Sequence, residues 1–428
     1  MAWILFSAAV LFLAYRATPQ EEQARLLRIV EGMGRRIKDE AAQNRRACEP
    51  FNNALRARTR WVLLTPSLVT LNVTIFVFMF FASGALTEPT SLVAWGGNLG
   101  PRTTNAEWWR LVTALFVHAG LLHLVATTIG LVPVGIILER LVGWFAVATV
   151  YFAAGVIAGL VNLSSSPLSL TVGPSGAVFG LYGLLLASAS WDQLRSSNVK
   201  IPWPVLKRLA PSVSVFVLFG LTGDSLAIKS EFTAFVTGFA CGVVVARCAG
   251  DRKPATPLVS ATMAATLAIA IVAASLLGGI TDVRPQIEGM VALENRTAGA
   301  YQVAVDGFRK GRLTSEALAQ LIDRTIVPEF EAVDTHLKAL HGVPREQARL
   351  LADAEQYLQL RSESWRLRAE VLRNDKIQSG RNAERGQPAI EENSRVRAEA
   401  RHTKSMLMSG KAESTERASL EALYRITR

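Results

Sequence analysis

The 428-residue chain is 50% hydrophobic and only 19% charged, with a net charge of +11 and a mean hydropathy of +0.26. Those averages hide two unlike parts, long apolar runs from Trp61 to Ile280 and a charge-rich tail beyond them. Three cysteines, Cys48, Cys241 and Cys248, make no disulfide framework and have no metal-site spacing. Nothing in the basic balance reads as a nucleic-acid module, and anionic lipid is its simplest partner.

Taken from the N-terminus, Trp3 to Tyr15 is an apolar run of 13, short for a bilayer span and with no basic residue before it. It suits a signal-like segment, an interfacial anchor or an extra helix, and residues 1–18 are set apart as an N-terminal hydrophobic segment. Residues 16–60 carry eleven Arg or Lys against six acids, and 19–60 reads as a basic cytoplasmic helical segment. Seven apolar runs follow, at about 62–86, 111–137, 144–163, 173–191, 205–221, 231–248 and 257–280. Runs of this length span a bilayer, so the expected class is an all-α, polytopic membrane protein. Its membrane core lies over 61–250, with an additional transmembrane helix over 251–282.

Positive charge sorts the loops. The 16–60 segment, Arg140, the Arg195–Arg208 connection and Arg247–Lys253 fall on one side; the connections at 87–110, 164–172 and 222–230 fall on the other. This puts the segment before the first span inside and the C-terminal tail outside. The loop Thr87–Arg110 holds Trp95, Trp108 and Trp109, a composition suited to the headgroup layer. Glu107 and Arg110, three apart, are placed to pair across one turn.

In the tail, Pro344 opens a predicted helix to Arg373, with Leu351, Leu358, Trp365 and Leu372 at seven-residue spacing. Arg361 and Arg368 spoil the second seam of a long coiled coil, so a helical hairpin is expected within a helical domain over 283–373. Residues 374–428 are polar and Arg- and Glu-rich, and are expected to be partly disordered. The helical pattern also makes self-association a candidate role for this region.

Polar groups inside a bilayer are costly and therefore candidates for function. The second span offers His118 and His123. Five helical positions turn by about 140°, so the two rings are expected on different faces and make a poor metal pair; no metal and no cofactor is expected. Ser175 is bracketed by Gly173 and Gly176, glycines that let backbone approach closely and free amides to point at an anion. Gly176, Gly180 and Gly183 then form a small-residue stripe suited to tight helix contact.

The ordered set is more specific than any one piece. Glu107-Trp108-Trp109-Arg110 precedes His118 and His123, followed by Glu139-Arg140 and Gly143, then Gly173-Pro-Ser175-Gly176 with Gly180 and Gly183, then Gly238 and Gly242. Over roughly residues 60–250 the chain resembles the rhomboid family of intramembrane serine proteases. The resemblance implies a six-helix core with a water-filled cavity open to the outer face. It implies Ser175 as the nucleophile and His123, with the Ser175 backbone N–H, as the oxyanion site. Trp109 and Arg110 are implied to sit in a loop partly in the outer leaflet.

Two positions depart from that family pattern. Four residues after His123, Thr127 stands where the family has an Asn that supports the oxyanion; its hydroxyl can still donate, so Thr127 is expected in the oxyanion site with His123 and Ser175. Three residues before Gly238, Phe235 occupies the general-base position, and its neighbours Ala234 and Val236 offer no base. A serine hydroxyl is a weak nucleophile without an adjacent base. Glu231, four residues before Phe235 on the same helix face, and Lys229 are expected to sit too shallow to reach Ser175. The sequence therefore favours a multi-pass protein of a bacterial plasma membrane that binds transmembrane segments with little or no proteolysis. The alternative is an active intramembrane serine endopeptidase with a non-standard base.

Overall fold

The structure is a computed structural model whose described residues are 49–83, 87–194, 201, 203–221, 225–247, 253–384 and 392–427. The hydrophobic segment over 1–18 and most of the basic segment over 19–60 lie outside them, as do Cys48 and Cys248. Two compact units are present. One holds the membrane helices, and the other holds residues 276–428 together with the short loop stretch Gly100–Trp108.

The first unit is built on seven helices. They are α1 (Leu64–Ser83), α2 (Leu121–Val142), α3 (Trp144–Ser165), α4 (Ser175–Leu194), α5 (Trp203–Leu221), α6 (Ser225–Arg247) and α7 (Thr256–Leu277). Among the described residues, five helices are long and apolar enough to cross a membrane: α1, α2, α3, α6 and α7. In a bilayer the backbone must satisfy its own polar groups, which is why these runs are helical. The apolar part of α4 is shorter, Ser175–Ser190. It is enclosed by protein, with Ala177, Val178, Leu181 and Leu184 fully buried, so glycine and serine are tolerated where lipid would demand bulk. In α5, Lys207 and Arg208 near the start and the internal Pro211 dilute the apolar run.

The second span begins later than the sequence suggested. Arg110–Thr113 and Ala114–Phe116 are short helical turns, and α2 starts only after Gly120. Gly120 has φ +100°, a conformation that a residue with a Cβ adopts at a cost. His118 therefore precedes the helix. The far end of α2 is fixed by Glu139, whose carboxylate accepts from the backbone N–H groups of Leu63, Leu64 and Thr65 at 2.7, 2.8 and 2.9 Å and from the Thr65 hydroxyl at 2.9 Å. Those are orphan donors at the N-terminus of α1, where a negative charge also suits the helix dipole.

The second unit contains α8 (Arg284–Arg309), α9 (Ser315–Leu321), α10 (Val327–Lys338), α11 (Arg345–Glu384) and α12 (Glu392–Thr427). The stretch read as partly disordered is thus helical over Glu392–Thr427. Its small residues Ala412, Ser419 and Ala422 and its Ile426 are buried; close approach, rather than bulk, lets so polar a sequence pack. Leu358 and Trp365 are buried in the same core. The Gly100–Trp108 stretch joins through Ile280, whose N–H donates to the Thr104 hydroxyl at 2.9 Å and whose carbonyl accepts from Asn105 Nδ2 at 3.0 Å.

The arginines that spoiled the seam have partners. Arg361 makes a two-pronged bond to Glu294, Nη2 to Oε1 at 2.5 Å and Nε to Oε2 at 3.0 Å, and reaches Glu416 of α12 at 3.0 Å. Arg368 bonds the other Glu416 oxygen at 2.5 Å. Both guanidinium groups lie over the Trp365 ring, at 4.7 and 5.4 Å. The Tyr357 hydroxyl donates to Glu294 at 2.6 Å; burial and then the Glu294 charge push its phenol pKa above the usual range. Burial opposes the Arg361 charge, but Glu294 and Glu416 outweigh it and its pKa is raised. Removing one partner of a buried pair strands the other, which costs about 3–5 kcal/mol. Arg361 keeps Glu416, so Glu294→Ala is expected to lower the stability of this unit by less, about 1–3 kcal/mol, read by denaturant unfolding of the full chain in detergent. A loss near zero would mean that the network is solvent-screened.

Candidate functional site

The site grows from the packing of α4 on α6. A Cβ on Gly238 would collide with the backbone of Gly180, and one on Gly183 would collide with the Phe235 carbonyl and lie 2.6 Å from the Phe239 nitrogen. At Gly242 an added Cβ would meet the Ala187 Cβ at 2.7 Å. Gly176 and Gly180 pack against Ala158 and Ala154 of α3, while Ala234 of α6 is fully buried beside them. The two helices touch backbone to backbone in parallel register, and the expected glycine stripe is the reason.

That register sets what stands opposite Ser175, the first residue of α4. Gly176 faces Ala234, so Ser175 falls beside the turn before it. The Glu231 carboxyl lies near enough to the Ser175 hydroxyl to interact with it. Against the expectation that Glu231 lies too shallow to reach Ser175, the glycine contact between α4 and α6 brings the two near one another. Phe235 is half-buried and packs against the core of the membrane unit. Lys229 and Val236 are exposed.

The approach to Ser175 is held by backbone. Asn98 and Thr171 exchange two hydrogen bonds of 2.9 Å, and the Gly173 N–H donates to the Ala114 carbonyl at 2.8 Å. The Asn98 side chain also donates to the Gly159 carbonyl at 3.3 Å. Sequence reasoning missed Asn98 and Thr171, since a single bridge between two loops leaves no periodic signal. Gly173 has φ +95°, and a Cβ there would lie 2.5 Å from His123 Nε2. The missing side chain is what admits the imidazole next to Ser175.

The two histidines lie together, against the helical-wheel expectation. Their ring centroids are 5.3 Å apart, edge to face, because the Gly120 turn takes His118 off the helix. His118 Nδ1 lies 3.1 Å from the Phe116 carbonyl and Nε2 lies 3.2 Å from the Thr127 hydroxyl. A carbonyl only accepts, so Nδ1 carries the proton, and Nε2 of the neutral ring must accept from Thr127. The Thr127 oxygen also sits 2.9 and 3.0 Å from the His123 and Leu124 carbonyls. One hydroxyl proton is thus sought by three acceptors. Thr127, expected to support an oxyanion, has no proton left for it in this arrangement.

The flanking loop is organised around Arg110. Arg110 is buried, stacks on Trp109 at 4.6 Å and donates to the Val93 and Gly97 carbonyls at 2.5 and 3.1 Å. Trp109 is half-exposed. Glu107 bonds Arg102 at 3.3 Å. Among the described residues no group of three or more His, Cys, Asp or Glu side chains is arranged to hold a metal.

Residues 105–252 match the family model described as a rhomboid domain. That part of the chain is a rhomboid domain. The chain is 26% identical over 328 residues to a protein named rhomboid protease GluP from Bacillus subtilis, covering 70% of this chain and 62% of that one. It is 30% identical over 167 residues to rhomboid-like protease 3 of Toxoplasma gondii, covering 37% and 63%. It is also 29% identical over 137 residues to inactive rhomboid protein 1 of Danio rerio, covering 31% and 15%. The matches span less than two thirds of these relatives' own lengths. The likeness to GluP is longer than the rhomboid domain, so it takes in part of the flanking sequence as well.

For this rhomboid, the contact between Gly173 and His123 is directly testable. Gly173→Ala is expected to destabilise the protein in detergent, through a positive φ that costs about 1–2 kcal/mol and through the clash with the ring. In a His123→Ala background only the backbone cost remains, so the double-mutant cycle should show coupling of at least about 0.5 kcal/mol. Additivity of the two changes would place the ring elsewhere.

Proposed function

We propose that this rhomboid, in a bacterial plasma membrane, admits a transmembrane segment of another protein to the cavity around Ser175 and cuts it slowly, with Glu231 as the base. The observation that carries this reading is the close packing of α4 on α6, which brings the Glu231 carboxyl near the Ser175 hydroxyl. As Ser175 Oγ attacks the scissile carbonyl carbon, its proton passes to the Glu231 carboxylate. The oxyanion is received by the Ser175 backbone N–H at the start of α4 and by His123, donors of the kind worth a few kcal/mol each in such a site. The proton on Glu231 then goes to the leaving amine as the C–N bond breaks. Water attacks the acyl-serine, gives its proton to Glu231 and releases the new carboxyl terminus, and the proton returns to Ser175.

A second reading is favoured by Phe235 and by the committed proton of Thr127: the same cavity holds transmembrane segments without cutting them. The readings separate in one experiment, labelling of purified protein by a serine-directed fluorophosphonate together with cleavage of a model transmembrane substrate. The proposal expects labelling that is abolished in Ser175→Ala. It expects Glu231→Gln to slow cleavage by about 10²–10⁴-fold, the usual contribution of a general base. Absence of both labelling and cleavage in the native chain, with Phe235→His restoring them, would assign the chain to the binding reading.

The bonds from Ile280 to Thr104 and Asn105 support placing the tail on the same side of the membrane as the first loop, the outer side by charge. Val303 is 75% exposed in the second unit. A Val303→Cys variant lacking the native cysteines is expected to react with an impermeant maleimide in intact cells; protection until the membrane is permeabilised would reverse the assignment. The same unit is the proposed site of self-association. Cross-linking into dimers should be lost without residues 283–428.

A further inference from the structure

On the basic side of the membrane unit, three separate connections meet. A cavity of about 320 Å³ is lined by Thr59, Trp61 and Ser67 at the start of α1, by Trp144 at the start of α3, and by Lys253 before α7. Glu139 also reaches it, but its carboxylate is saturated by the four donors from residues 63–65. The cationic Lys253 therefore has no free carboxylate beside it from that wall. Arg60 lies over the Trp61 ring at 5.8 Å, and the Thr59 hydroxyl ties this corner to the Arg140 carbonyl at 3.2 Å. Trp61 and Trp144 are 71% and 62% exposed, as tryptophan at the depth of lipid headgroups commonly is.

A second cavity begins next door. Phe145, in ring contact with Trp144 at 5.6 Å, opens a groove of about 310 Å³ between α3 and α7 that runs to Val156 on one wall and from Met263 to Ala270 on the other. Its lining is apolar apart from Thr149 and Thr266. The helix from Phe145 to Val156 rises about 16 Å, close to half of the ~30 Å hydrocarbon core. The groove is thus one leaflet deep, and it starts where the cationic cavity ends.

We propose that these two cavities together form a site for one anionic glycerophospholipid of the inner leaflet, its phosphate at Lys253 between Trp61 and Trp144 and one acyl chain along α3 and α7. Basic pockets between helices on the cytoplasmic side hold such headgroups. The charge on Lys253, the tryptophan pair at headgroup depth and a groove matching a single leaflet each select for this occupant. The site is separate from Ser175 and does not depend on whether the chain cuts its substrates.

Titration of the purified full chain with phosphatidylglycerol and with phosphatidylcholine of the same acyl chains, followed by native mass spectrometry, tests the assignment. Phosphatidylglycerol is expected to bind at least about fivefold tighter, and Lys253→Gln to remove about fivefold of its affinity, the effect of one lysine near an anionic surface. Met263→Trp, which fills the groove, is expected to weaken both lipids, while inorganic phosphate in large excess should displace neither. Equal binding of the two lipids, an unchanged Lys253→Gln, or displacement by phosphate alone would each overturn the proposal. Lys253 is exposed, so its replacement leaves the fold intact, and the thermal midpoint of Met263→Trp reports whether that variant remains folded.

Discussion

Between α4 and α6 there is almost no side chain. Gly180 and Gly238 meet backbone to backbone, Gly183 meets the peptide of Phe235, and Gly242 lies against Leu184 and Ala187. In a bilayer, where lipid tails are as apolar as leucine, such close approach is what holds two helices together. It also fixes register to within a fraction of a turn, since any Cβ at these positions would force the helices apart. Everything chemical follows from that register: which residue of α6 faces the first residue of α4, and how far apart they are.

The consequence is a serine with an unusual neighbour. An imidazole opposite Ser175 would have made the assignment of a dyad immediate; Phe235 occupies that level instead and serves the core. One turn nearer the mouth, Glu231 supplies the titratable oxygen. His123 and Gly173, in contrast, fit one another as side chain and absence of side chain, and the Asn98–Thr171 bridge and the Gly173–Ala114 bond fix the loop that carries Ser175. The loop before α4 is therefore held firmly against His123, while the proton of Thr127 is already committed to His118 and to the backbone.

Charge is handled by the same rule in both units. Glu139 faces four donors at the start of α1, and Arg361 faces Glu294 and Glu416 in the tail. In each case a group too costly to bury alone is paired through several bonds. The pairing explains why charged residues stand at positions where hydrophobic spacing called for leucine. It also ties α12 to α11, giving a polar stretch a reason to be helical that its composition does not reveal.

Hydropathy alone determined the membrane class and nearly every membrane helix, because a run of about twenty apolar residues has only one way to satisfy its backbone in lipid. The order of Trp109-Arg110, His123, Ser175 and the Gly238/Gly242 pair was enough to name the family. Three things were decided only in three dimensions. Gly120 could not be distinguished from a glycine within a helix until its positive φ ended one, and that change brought His118 beside His123. Glu231 could not be placed against Ser175 by counting residues, because reach depends on the separation of two helices and not on spacing along one of them. Glu416 could not be paired with Arg361 and Arg368 from sequence, since the partners are some fifty positions apart and only the packing of α12 on α11 joins them. Periodicity reports which face of a helix is buried; it carries no information about what waits on the other side.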